Sequence, residues 1–229
     1  MDRAVRRIIV SVGVIAAVFA VDHWRHPTAD AAEHNRFGQP LRQITPEIRA
    51  RGLRIESGVA PKDRAWILAA IAHARPEAQK LIGEVDGMVT ITTRPGGDAL
   101  PGGQAVGVTR PSPNGFGVEL NVAALDGDAS FSRDVVVLHE LGHVIDFSLI
   151  DQDLANRLDS TIPSSGACVS EGQISGACTA PEERFADTFA KWALRGAVSA
   201  AGAGYRIRAP LLDEWAQPLA IMAAQAGTT

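Results

Sequence analysis

Cysteine occurs twice, tyrosine once and lysine hardly at all in this chain of 229 residues, and no block of Lys and Arg appears beyond the first residues. Each scarcity excludes something. With no basic block and a formal net charge of −4, the chain lacks a phosphate-binding footprint, so nucleic acid is not an expected partner. Scarce lysine beside abundant Ala, Gly and Arg reads as coding bias, which bears on origin and not on function. There are no internal repeats. A 46% hydrophobic composition over this length supports one good-sized core rather than several large domains.

The apolar run from Ile8 to Val21 is shorter than the ~20 residues of a membrane span. Arg3, Arg6 and Arg7 precede it, as in an export signal. Small residues suited to cleavage stand at Val18-Phe19-Ala20 and again at Ala29-Asp30-Ala31, so two outcomes stay open: cleaved export, or an uncleaved anchor over residues 8–21. Either leaves the remainder extracytoplasmic, with membrane contact only through this segment. The expected division is a signal peptide or anchor over 1–31, a linker or packed arm over 32–58 and a folded catalytic domain over 59–229.

Cys168 and Cys178 lie in a Gly/Ser-rich loop, and in an oxidising compartment a disulfide is the natural pairing. Closing so short a loop contributes ~2–3 kcal/mol by the chain-entropy argument. Two free thiols or a second metal site are the alternatives.

Helical spacing of Trp66, Ile67, Ala70, Ile71 and Ala74 predicts a helix from Pro61, kinked or restarted at Pro76 and ending near Gly83. His73 within it is expected to be structural or exposed. Met88 to Thr93, Ala105 to Thr109 and Gly117 to Val122 read as three strands of a small mixed or antiparallel sheet. Two longer helices, Arg133 to Leu149 and Pro181 to Arg195, flank the cysteine loop. A last helix over Pro210 to Ala224 would pack through Leu211, Leu212, Trp215, Leu219 and Met222. The fold class is therefore α+β.

The first long helix contains His139-Glu140-Leu141-Gly142-His143, an HExxH motif. Residues four apart share a helix face with Cβ atoms ~5–6 Å apart, so His139 and His143 can reach one ion at ~2.0–2.1 Å. Glu140, ~100° round the helix, can address a water at that ion without being a ligand. At ~100° per residue from His139, Asp146 falls near about −20°, His143 near about 40° and Phe147 near about 80°. The remaining positions are apolar nearly all round, which marks a buried helix and demands that its polar arc be paired or metal-bound. Ser132 is placed to cap this helix, and Gly142 to admit a neighbouring backbone.

A catalytic zinc needs a third protein ligand, and no histidine follows His143. Carboxylates at the start of the second helix fill the need. Glu183 and Asp187 share one strip, away from Arg184, Lys191 and Arg195, which read as its solvent face. Glu183 is then the third ligand, with Glu182 as the alternative. Asp187 is placed to accept the second N–H of a ligand histidine, His139 being the candidate, and Asp146 is a candidate for similar work.

HELGHVID followed by EERFADTFA resembles the catalytic domain of anthrax lethal factor and the pro-pro endopeptidases, over the two catalytic helices only. The resemblance implies a zincin-like fold of the Glu-ligand type, one zinc ion held by His139, His143 and Glu183, and Glu140 as general base. It also matches Asp146 and Asp187 to acidic residues of the family. One position departs: Gly176 stands where those peptidases carry a tyrosine thought to stabilise the oxyanion. Tyr205, the single tyrosine, is the candidate replacement.

These readings lead to a zinc metalloendopeptidase acting on a peptide or protein substrate, with the strand near Gly117 to Val122 bordering the cleft. A zinc-binding interaction domain without turnover and a zinc amidase acting on cell-wall peptides are the rivals.

Overall fold

Proline starts most of the helices in the computed structural model, which describes residues 34–94, 106–127, 132–163, 169–170, 173–174, 180–197 and 208–226. It occupies the first turn of α1 (Pro46–Arg49), α2 (Pro61–His73), α3 (Pro76–Val85) and α7 (Pro181–Ala193), where its missing N–H costs nothing and its fixed φ suits the helix. The chain restarts at Pro76 because Ala74 and Arg75 are extended. The Gln79 amide then donates to the carbonyls of Ala72 and Ala74 at 3.1 and 2.6 Å, satisfying the frayed end of α2.

The sheet is small, four-stranded and mixed, in the order β1-β2-β4-β3. Strands β1 (Arg54–Ile55), β2 (Val89–Arg94) and β4 (Gly115–Asn121) run parallel, and β3 (Gly107–Ser112) pairs antiparallel with β4. Its inner face presents Val89, Ile91, Phe116, Val118 and Leu120, all buried. Register sets Gly107 beside Leu120 and Thr109 beside Val118, so both also face inward. The strand near Gly117 to Val122 is thus internal, and among the described residues β3 is an edge strand, the one that borders the HExxH helix. Local alternation marks a strand but carries no information about which strand lies outermost.

Residues 34–58, expected as a linker or packed arm, supply α1 and β1 and belong to the same compact unit as the rest, Glu33–Thr229. Residues 8–21 lie outside the described residues, among which no helix is long and apolar enough to cross a membrane.

After β4 come α4 (Val122–Gly127), α5 (Arg133–Leu149) and α6 (Gln152–Thr161). Helix α5 spans the limits its sequence predicts, and Val135 through Leu138 and Leu141 through Asp146 are buried. Ser132 sits at its N-cap without a side-chain cap bond. Helix α6 was not anticipated; Asp151 caps it, accepting from Leu154 N at 2.7 Å. The short strands β5 (Val169–Ser170) and β6 (Gln173–Ile174) pair antiparallel between the cysteines, while Cys168 and Cys178 themselves lie outside the described residues.

Two expectations about helix faces are corrected. Lys191 is buried rather than solvent-facing, because its ammonium meets Asp187 Oδ2 at 2.6 Å, one turn back, and neutralises it inside. Arg184 turns inward too, donating to the carbonyls of Ile162 and Asp159 at 2.7 and 3.3 Å. The final helix is broken into α8 (Leu212–Trp215) and α9 (Gln217–Gln225), with Pro218 restarting it; Trp215 and Leu219 pack inside, while Leu211 precedes the first piece and is 70% exposed.

Candidate metal centre

Helices α5 and α7 meet where neither side chain nor backbone can be larger. A Cβ placed on Gly142 would lie 3.1 Å from Ala186 Cα and 3.2 Å from the Phe189 ring, so glycine here lets the two backbones close. That contact brings the first turn of α7 over the histidine face of α5.

The consequence is a triangle of donors. His139 Nε2 is 3.0 Å from Glu183 Oε2, His143 Nε2 is 3.2 Å from His139 Nε2, and His143 Nε2 is 3.5 Å from Glu183 Oε2. Donors at ~2.0–2.1 Å round a tetrahedral zinc stand ~3.3–3.4 Å apart, so the three edges fit one such ion without rearrangement. The two imidazoles are nearly perpendicular, at 87°, with their Nε2 atoms 3.2 Å apart. Exposure falls from 29% at the Glu183 side chain through 12% at His139 to 7% at His143, so the triangle opens towards solvent on its Glu183 side. Glu182 takes no part among these donors.

Charge is arranged to match. Burial alone would depress the His139 imidazole, but the hydrogen bond to Glu183 and the charges of Glu140, Glu183 and Asp187 outweigh it and raise its pKa. Burial would raise Glu183, yet the bonds and charges of His139 and His143 hold it far below the usual carboxylate range.

Glu140 lies on the sheet side of α5. Thr109 Oγ1 donates to Glu140 Oε2 at 2.7 Å and also lies 3.1 Å from the Glu140 carbonyl. A Cβ on Gly107 would fall 2.4 Å from Glu140 Oε1 and 2.9 Å from its Cγ and Cδ. The edge strand thus approaches the carboxylate with a glycine and grips it with a hydroxyl. Neither residue was singled out from the sequence; a glycine in a strand is the one local signal of such an approach.

Asp146 and Asp187 are fully buried but differently employed from the expectation. Arg36 grips Asp146, Nη2 donating to Oδ1 at 2.9 Å and Nε approaching Oδ2 at 2.7 Å, while Nη1 donates to Asp159 Oδ2 at 2.7 Å. Burial pushes Asp146 up to about 7 against the pull of Arg36. Asp187 takes Lys191 on Oδ2, and its Oδ1 has no hydrogen-bond partner. It acts on His139 through charge, in place of the N–H bond expected of it. Burial raises the Asp187 pKa, with Lys191 opposing. Tyr205 and Gly176 lie outside the described residues.

No family model, no curated protein and no solved structure matches this chain.

Proposed function

We propose that the chain is a zinc-dependent metallopeptidase of zincin-like, Glu-ligand architecture. The observation that carries this reading is the triangle of His139, His143 and Glu183, whose edges of 3.0, 3.2 and 3.5 Å fit a single tetrahedral ion, beside the buried carboxylate of Glu140. The resemblance of the two helices to the lethal factor and pro-pro endopeptidase pattern supports the same conclusion.

Zinc, when bound, supplies Lewis-acid polarisation of a carbonyl and acidifies water. The chain does the rest. His139, His143 and Glu183 are the residues that would hold the ion. The Glu140 carboxylate accepts the proton of the attacking water and returns it to the leaving amine nitrogen. Thr109 fixes the carboxylate's orientation through Oε2. Strand β3, the edge of the sheet among the described residues, offers backbone groups to which an extended peptide can add as a further strand.

The test is metal content and turnover together. Purified wild type should carry one zinc per chain, Glu183→Ala and His143→Ala should lose it, and Glu140→Ala should keep it while losing peptide hydrolysis. Wild type without stoichiometric zinc contradicts the metal assignment. A zinc-loaded wild type that cleaves neither a peptide library nor purified cell wall points instead to a binding module.

A further inference from the structure

A histidine that ligates a metal ordinarily donates its other ring nitrogen to a carboxylate or carbonyl, which fixes the ring. His143 does not. Its Nδ1 is buried and has no hydrogen-bond partner, and the nearby acid, Asp146, is occupied by Arg36. What lies against the ring is Phe147, one turn further along α5, stacked at 5.7 Å between centroids and 23° between planes.

Phe147 is in turn held from outside α5, by the segment that begins the described chain. Phe37 meets the Phe147 ring edge-on at 5.3 Å and 67°. Asn35 Nδ2 donates to the Phe147 carbonyl at 3.2 Å, one of the last carbonyls of α5 and without a partner further along the helix. The same Asn35 closes its own loop, its Oδ1 accepting from Phe37 N at 3.0 Å and Gln39 N at 3.1 Å. Arg36, between them, spans Asp146 and Asp159 and lies 5.9 Å over the Phe185 ring of α7. The His34 carbonyl accepts from Gln152 N at 2.8 Å. Four consecutive residues therefore touch α5, α6 and α7 at the end of the metal-bearing helix.

We infer that residues 34–37 form a clasp that positions the metal ligand His143, with Phe37 acting through Phe147 and Arg36 anchoring the segment to Asp146 and Asp159. The inference rests on the metal-centre reading. Phe37 and Arg36 are positioning residues, since neither touches the donor atoms. Phe37 serves the test well because it is 52% exposed, so truncating it opens no core cavity.

The experiment compares the full chain as wild type, Phe37→Ala, Phe37→Leu and Arg36→Lys. Zinc affinity is measured by competition with a chromophoric chelator, and the His143 imidazole C–H resonances are followed in the zinc-free protein, with exposed His73 as the internal reference. Phe37→Ala and Arg36→Lys are expected to keep the wild-type circular dichroism, weaken zinc binding about ten-fold and shift the His143 resonances while those of His73 stay. Phe37→Leu should recover much of the affinity. Folded Phe37→Ala that binds zinc within about two-fold of wild type and leaves the His143 resonances unmoved overturns the clasp. Wild type that takes up no zinc removes the metal reading alone, and the resonances still decide whether Phe37 sets the His143 ring.

Discussion

Thr109 reaches across from β3 and donates its hydroxyl to Glu140 Oε2 at 2.7 Å, so the strand packed beside the HExxH helix also holds the candidate base. Hydrogen bonds to charged groups are worth ~1.5–3 kcal/mol, and a buried carboxylate that loses one is left under-satisfied. Thr109→Val is therefore expected to lower peptide turnover by about ten-fold or more at unchanged zinc content, and Thr109→Ser to retain most of it. Steady-state kinetics beside metal analysis checks this; equal activity in the valine variant would remove the role.

Gly142→Ala sets two effects against each other. Alanine favours a helix interior over glycine by ~1 kcal/mol. Its Cβ, however, would stand 3.1 Å from Ala186 Cα, a backbone atom of α7 that cannot yield without moving the helix carrying Glu183. Overpacking of this kind costs ~1–3 kcal/mol, so the variant should be less stable in urea, by about 1 kcal/mol net. It should also bind zinc more weakly, because the displaced helix opens the donor triangle. A variant more stable than wild type would show that α7 gives way freely.

Asp146 makes stability pH-dependent with a defined sign. Its pKa is about 7 in the folded chain, above the ~3.9 of an unfolded aspartate. Between those values the folded protein holds a proton that the unfolded chain releases. The group's contribution is thus full below pH ~4 and lost as pH rises through about 7, with a slope of at most ~1.4 kcal/mol per pH unit. Urea denaturation with a chelator present, from pH 5 to 7, should find wild type losing stability relative to Asp146→Asn as pH increases. Wild type gaining stability relative to Asp146→Asn as pH rises would have the wrong sign for this account.

How far the sequence carried the site follows from the range of each interaction. Helix α5 was legible to its ends, because an apolar helix with one polar arc states both its burial and its polar face locally. Glu183 was legible for the same reason on α7. The placement of Lys191 was not: helical angles treat residues one at a time, whereas its burial depends on pairing with Asp187. Arg36 is 110 positions from Asp146 and belongs to no motif, so nothing local marks it. Which strand lies outermost beside α5 was not legible for a similar reason, since strand order is a property of the sheet and not of any strand within it.

Lys191 and Asp187 provide a last prediction, because a buried pair is easily broken and hard to value. Both side chains are nearly inaccessible, and the ammonium meets Oδ2 at 2.6 Å. Removing only the lysine leaves a buried aspartate without its counter-charge, a change that costs ~3–5 kcal/mol. Replacing both by apolar residues of similar volume is frequently near neutral. Lys191→Met should therefore unfold at markedly lower urea than Asp187→Leu/Lys191→Met, even though the double variant removes more native chemistry. Zinc affinity separates stability from function: Asp187 lends negative charge to His139, so the double variant should fold yet bind zinc more weakly than wild type. If it binds zinc as wild type does, the pair serves packing alone and the charge on His139 comes from Glu183 and Glu140.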